Sequence, residues 1–78
     1  MTKNEFNIGD KIIIKGDFTD FTDHLDGATL TISHLNETDN GDPLDDDTIL
    51  AREENGTEWY IYVKNIVEVI KCLKSVTL

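Results

Sequence analysis

The apolar residues of this chain fall in short clusters in which every second residue is apolar, and this spacing limits the fold more than any other feature. Between residues 28 and 33, Ala28, Leu30 and Ile32 alternate with hydroxyl side chains, and residues 58–63 repeat the alternation. Side chains two positions apart share a face of a β-strand, so each cluster predicts a strand with one buried face. No segment keeps the helical spacing of apolar residues over ten positions, which predicts an all-β fold.

Five strands are predicted in this way, and they cover residues 11–15, 28–34, 48–52, 58–63 and 67–73. In the fourth, Trp59 and Ile61 share a side, and in the fifth, Val67 and Val69 do.

Turn-forming residues separate the predicted strands. Asn55-Gly56 lies between the third and fourth, which is the strongest short signal for a β-hairpin. Two longer loops are predicted at residues 16–27 and 36–46, and a short break is predicted at residues 64–66.

Residues 56–70 look like the distal hairpin, the short 3₁₀ turn and the last strand of SH3-like domains. Residues 8–14, with Gly9-Asp10 between apolar residues, and residues 25–32 are similar to KOW-type and small phage-encoded SH3-like proteins. The resemblance extends over most of the chain.

This resemblance implies one domain over residues 1–78, an all-β, small five-stranded SH3-like barrel at about residues 10–73 with short flexible ends. Family members that bind proline-rich peptides use an aromatic groove, but their usual starting motif is absent here. Phe18, Phe21, Trp59 and the two tyrosines could form a different aromatic patch, or Trp59 could belong to the core.

The charge of the chain is strongly negative and unevenly spread. Among 78 residues, 7 are Lys or Arg and 16 are Asp or Glu, which gives a net charge of −9. Residues 17–58 hold thirteen acidic residues against one basic residue, Arg52, and carry −12, whereas the flanking residues carry +3. Direct binding to nucleic acid or to an anionic membrane needs a basic surface, so we predict that the protein binds neither of them directly.

Two acidic groups are candidate contacts for a partner. Aspartates recur at every third position from residue 17 to residue 26, with phenylalanines between them, and a second group follows Leu44. Such a row would complement a protein that grips phosphates with Lys and Arg, although aspartates also favour turns. The candidate partner-binding residues are Asp17, Phe18, Asp20, Phe21, Asp23, Asp26, Asp45, Asp46 and Asp47.

Metal and catalytic motifs do not emerge from the sequence. The loop around Gly41 lacks the acidic ligands of an EF-hand, so no metal site and no cofactor are predicted, although loose ion binding within residues 39–47 stays open. His24 and His34 are far from Cys72 in sequence, and His34 ends a strand as a half-buried structural residue. We therefore expect a protein that is not an enzyme.

The favoured function is that of a non-catalytic acidic protein that docks on a basic, nucleic-acid-handling host protein and blocks it, as phage-encoded nucleic-acid mimics do. The alternative is a structural or adaptor module whose acidity only serves solubility. The single cysteine cannot form an internal disulfide, and no signal peptide or membrane-spanning segment is recognised, which predicts the cytoplasm. The oligomeric state stays open.

Overall fold

The computed structural model describes residues 3–16 and 23–71. It confirms an all-β chain, with strand bounds within two residues of the predicted ones wherever the structure describes them. The strands are β1 (Lys11–Ile14), β2 (Thr29–His34), β3 (Thr48–Arg52), β4 (Glu58–Tyr62) and β5 (Ile66–Ile70). Within the described residues, three 3₁₀ turns accompany them, at Lys3–Glu5, Asp23–Leu25 and Val63–Asn65. The last is the short turn that the resemblance implied. No helix of the described residues is long and apolar enough to cross a membrane.

The five strands form one antiparallel sheet in the order β4-β3-β2-β1-β5. This order places β4 and β5 at opposite edges, and within the described residues no pairing joins them, so the sheet is open. Both edge strands run in the same direction, and only the turn Val63–Asn65 connects them. In a flat sheet, the end of β4 and the start of β5 would lie roughly 23 Å apart. The three residues of the turn can span only about 13 Å. The sheet therefore curls, and its edges approach each other at the turn.

The core lies on the concave side of this curl. The strands β1 to β4 contribute apolar residues from one face each, β5 contributes Ile66, and the turns and the N-terminal segment close the ends. The core residues are Phe6, Ile12, Ile14, Leu25, Leu30, Ile32, Ile49, Ala51, Ile61, Val63 and Ile66. Full burial of an isoleucine or leucine side chain contributes about 1.5–3 kcal/mol, so this set supplies most of the force that holds the sheet in its curled form.

A β-bulge changes which side chains of β5 face the core. The register shifts between Ile13 and Ile14, so that Ile14 pairs with Ile66 and Val67 becomes the extra residue. Ile66 is buried and Val69 packs against the core, whereas Val67 is 53% exposed. The prediction that Val67 and Val69 share a side is therefore wrong. The strand also begins one residue earlier than predicted, and residues 72–73 at its predicted end lie outside the described part.

Asp10 is a structural residue, although its Gly-Asp motif contributed to the resemblance. Its side chain is buried, with the whole residue 1% exposed. The carboxylate Oδ2 accepts a hydrogen bond from the Asn7 backbone N–H at 2.9 Å and lies 3.1 Å from Lys71 Nζ. Lys71 Nζ also donates to the carbonyl of Glu5. This network joins the N-terminal segment to the end of β5.

Candidate functional site

The predicted partner-binding residues fall into a described and an undescribed group. Asp17, Phe18, Asp20 and Phe21 lie outside the described residues. The other five are described and exposed, and all lie in connections between strands. They are Asp23, Asp26, Asp45, Asp46 and Asp47.

The first acidic group ends in a turn that its buried leucine anchors. Asp23 begins the 3₁₀ turn Asp23–Leu25, and Leu25 inserts into the core. The carboxylate of Asp26 accepts a hydrogen bond from the Gly16 backbone N–H at 3.3 Å, which ties the two ends of the loop together. Gly16 in turn lies against Asn65, because a Cβ at position 16 would come within 2.9 Å of the Asn65 Oδ1.

The second acidic group is linked through Asp47 to the turn that contains Asn65. The carbonyl of Asp47 accepts a hydrogen bond from the Val63 N–H at 2.8 Å. Its carboxylate accepts one from the Thr48 hydroxyl at 3.1 Å. Asp45 and Asp46 are exposed before β3, and the backbone carbonyl of Asp45 accepts the Thr48 N–H.

One aspartate of each group is thus linked to the turn Val63–Asn65, Asp26 through Gly16 and Asp47 through its own carbonyl. Two exposed lysines also belong to this region. Lys15 donates its backbone N–H to the Asn65 carbonyl, and Lys64 belongs to the turn itself. The Lys64 ammonium lies 5.5 Å from the centre of the Tyr62 ring, a cation–π contact.

A polar network that the sequence did not predict occupies the outer face of β2, β3 and β4. The Glu58 Oε2 accepts hydrogen bonds from the Ser33 hydroxyl at 2.7 Å and from the Arg52 Nε at 3.1 Å. His34 Nδ1 lies 3.3 Å from the same oxygen. The hydrogen bond from Ser33, and then that from Arg52, lower the pKa of the Glu58 carboxyl below its ordinary value.

A second β-bulge makes this network possible. The register between β2 and β3 shifts from Ile32, which pairs with Ala51, to His34, which pairs with Leu50. Neighbouring residues of a regular strand point to opposite faces, but a bulge redirects one of them. Ser33 and His34 therefore reach the same carboxylate.

Residues 36–44 form a small folded loop rather than an open connection. Leu44 N–H donates to the Asn36 carbonyl at 2.8 Å, and Thr38 N–H donates to the Asp42 carbonyl at 2.9 Å. His34 Nε2 lies 2.6 Å from Asp39 Oδ1, which holds the loop against the sheet.

Between this loop and β4 lies a groove of about 250 Å³, which we call the outer-face groove. Its lining includes Leu50, and also Glu58 and Tyr60 of β4 and Thr38, Asp39 and Asp42 of the loop. Leu50 is only 4% exposed although it lies outside the core cluster, so β3 is covered on both faces. The groove is rich in carboxylates above an apolar residue.

The aromatic residues of β4 divide between its two faces. Trp59 is half-buried and packs against the core, whereas Tyr60 and Tyr62 are exposed on the outer face. Trp59 Nε1 donates to the Glu53 Oε2 at 2.7 Å, and His24 Nε2 lies 3.0 Å from the other oxygen of that carboxylate. The His24 and Trp59 rings meet edge to face at 5.8 Å. Trp59 thus lies on the core side of β4, apart from the two exposed tyrosines, while Phe18 and Phe21 of the predicted aromatic patch lie outside the described residues.

The residues Ser33, His34 and Asp39 have the spacing of a nucleophile, a base and an orienting carboxylate. Ser33 Oγ lies 3.1 Å from His34 Nδ1, and Asp39 binds the other ring nitrogen. A serine hydroxyl has one hydrogen, and here Glu58 accepts it at 2.7 Å. The arrangement therefore fixes the loop and β2 to β4 rather than directing the hydroxyl proton to the imidazole. Within residues 3–16 and 23–71, no group of three or more His, Cys, Asp or Glu side chains could hold a metal ion.

Comparison with known proteins finds no matching protein family, no matching curated protein and no matching solved structure. The function must therefore be inferred from the surface of the chain itself.

Proposed function

We propose that this protein is a non-catalytic acidic binding protein that docks on a basic, nucleic-acid-handling protein of a host and blocks it, in the manner of a phage-encoded nucleic-acid mimic. The observation that carries the proposal is that one aspartate of each acidic group, Asp26 and Asp47, is linked to the turn Val63–Asn65, and that the described aspartates of both groups are exposed. A partner could contact both groups at once. Exposed carboxylates in the connections between strands complement a surface that holds phosphates through Lys and Arg.

The net charge of −9 supports the same function. Complementary charge speeds association and disfavours partners of the same sign. The two exposed lysines at the turn, Lys15 and Lys64, reduce the local charge, so we expect the partner to carry separate basic patches rather than one continuous basic stripe.

We also infer that the curled sheet is an SH3-like barrel and that the protein works in the cytoplasm. The barrel is supported by the three-residue turn that links the two sheet edges, and by the 3₁₀ conformation of that turn. The cytoplasm is supported by the single Cys72, which leaves the chain without an internal disulfide.

The docking proposal is tested by binding with two charge-matched variants. Asp45→Asn with Asp46→Asn removes two charges beside the turn, whereas Glu54→Gln with Glu68→Gln removes two elsewhere; all four side chains are exposed. The immobilised protein should retain basic proteins from host lysate, and retention should fall between roughly 50 and 200 mM salt. The first variant should lose most retention and the second little. Duplex DNA should release the retained proteins, because under this proposal DNA and the immobilised protein compete for the same basic site on the partner.

Two results would overturn the proposal. One is the retention of neutral or acidic proteins whose binding does not depend on salt. The other is an equal loss in the two charge-matched variants, because the acidic groups at the turn would then have no special role.

A second candidate, the structural or adaptor module, is favoured by exposed apolar side chains on both edge strands. Tyr60 and Tyr62 lie on β4, and Val67 and Ile70 on β5. Edge strands also present unpaired backbone groups that can pair with another chain. If this candidate holds, Val67→Thr with Ile70→Thr abolishes binding while the loss of Asp45 and Asp46 charges leaves it unchanged.

A further inference from the structure

We propose that the outer-face groove binds one arginine side chain of the basic partner; this inference rests on the proposed function and names the chemistry that its partner must present. The groove lies between the loop of residues 36–44 and β4. It adds a specific contact to the general attraction between opposite charges.

The size of the groove suits one side chain. Clefts that take drug-sized ligands measure about 300–1,000 Å³, whereas this groove measures about 250 Å³. Leu50 offers an apolar surface for the methylene groups of a long cationic side chain, which such residues bury while their charged end stays near polar groups.

Carboxylates at the groove remain accessible beyond the polar network. The Asp39 side chain is 71% exposed, and one of its oxygens contacts His34. The hydrogen bonds of Asp42 to Thr38 use its backbone N–H and carbonyl, which leaves its carboxylate for a ligand. A planar guanidinium presents its N–H donors in a fixed fork that matches two such oxygens, whereas an ammonium acts as a compact point charge without that geometry.

The aromatic wall gives the second reason to expect a guanidinium. Tyr60 is 69% exposed and lines the groove. Tyr62, two positions along the same face of β4, already holds the Lys64 ammonium against its ring. Arginine stacks on aromatic rings more readily than lysine does. A cation–π contact of this kind is thus already present within the chain, two residues along β4 from the tyrosine that lines the groove.

The two basic side chains of the described chain near the groove, Arg52 and His34, already have partners. Arg52 binds Glu58, and His34 lies between Glu58 and Asp39. The three carboxylates of Asp39, Asp42 and Glu58 outnumber these two side chains, so the groove keeps a negative charge for a partner to neutralise.

The test uses N-acetyl-arginine-amide as the probe and N-acetyl-citrulline-amide, which has nearly the same shape without the charge, as its control. Amide NMR signals of the full chain are followed during titration. We expect saturable shifts at Thr38, Asp42 and Tyr60 with the arginine probe, and binding of the citrulline probe weaker by about tenfold.

Two substitutions of neighbouring tyrosines sharpen the test. Tyr60→Thr should weaken binding of the arginine probe by about two- to fivefold, while Tyr62→Thr, on the same strand face, should change it little. Threonine suits a strand, so both variants should keep the fold. Asp42→Asn should weaken binding to a similar degree as Tyr60→Thr.

Either of two results would overturn the inference. The arginine probe could shift the NMR signals of Asp23, Asp45 and Asp46 as strongly as those of the groove residues, or the two tyrosine substitutions could weaken its binding equally. If Tyr60→Thr and Asp42→Asn still retain basic host proteins while Asp45→Asn with Asp46→Asn does not, the groove inference fails and the docking proposal stands. If the probe binds in the groove but no basic protein is retained, the docking proposal fails, and with it the assignment of the groove to a partner.

Discussion

Asp10 and the pair Asp45 and Asp46 are the same residue type in opposite surroundings. Asp10 is enclosed by the N-terminal segment and the end of β5, where it binds a backbone N–H and the Lys71 ammonium. Asp45 and Asp46 are exposed in the connection before β3. A buried carboxylate is kept for the contacts it makes within the fold, whereas an exposed one adds little to stability. The net charge of a protein therefore includes carboxylates that stabilise the fold, such as Asp10, as well as exposed carboxylates that a partner can bind, such as Asp45 and Asp46.

Among substitutions of these acidic residues, Asp10→Ala should have the largest effect on the stability of the fold. The change leaves the Asn7 N–H without its acceptor and removes the carboxylate partner of Lys71, so we expect a loss of about 2–3 kcal/mol in the free energy of unfolding. Urea unfolding measures it. Asp10→Asn keeps an acceptor for Asn7 and should lose less. A loss below that of an exposed aspartate substitution would contradict the structural role of Asp10.

Glu58 lies between the two extremes, since it is half-buried and bonded to Ser33 and Arg52. Glu58→Gln should lower the free energy of unfolding by about 1 kcal/mol near neutral pH. Glu54→Gln, an exposed change of the same kind at the hairpin, should have almost no effect. Equal effects of the two substitutions would show that the outer-face network adds nothing.

The same substitution also predicts a pH dependence. The pKa of Glu58 is lower in the folded chain than its ordinary value, so its stabilising contribution is present above that ordinary value, near 4.5. The contribution is lost as the pH falls through the lowered pKa of the folded state. The stability difference between the parent protein and Glu58→Gln should therefore shrink below about pH 4. A difference that stays constant from pH 7 to pH 3 would contradict this.

The smallest stability effect is expected for Asp45→Asn with Asp46→Asn. Removal of two exposed like charges relieves repulsion, so the free energy of unfolding should rise by a few tenths of a kcal/mol at low salt. Thermal unfolding at low and high salt measures the change, which salt should diminish. A clear loss of stability would place these aspartates with Asp10 rather than apart from it.

The sequence was sufficient to locate the five strands, because alternation and turn residues act over a few neighbouring positions. Asn55-Gly56 and the pattern of residues 28–33 are local signals of this kind. The bulges at Ser33 and Val67 were not predictable from these patterns, since an extra residue is defined only by the strand it pairs with.

The candidate site was predicted only in part for a similar reason. The exposure of Asp45 and Asp46 follows from their place among turn residues. The groove depends on a loop that folds back over Leu50, and the network depends on His34 reaching Asp39 and Glu58. Such long-range contacts leave no periodic trace in one sequence. The Ser33-His34 pair next to an acidic loop was the only available signal.

The pairing of β1 with β5 has a consequence for the order in which the protein assembles. β2, β3 and β4 follow one another as neighbours in sequence and in the sheet, so they can form by local contacts. β1 pairs with β5 between residue 11 and residue 70, across nearly the whole chain. Contacts between distant residues slow folding because a long loop must close first. On the ribosome, β5 would emerge after the other four strands, and we expect this sheet to be completed only once it has emerged.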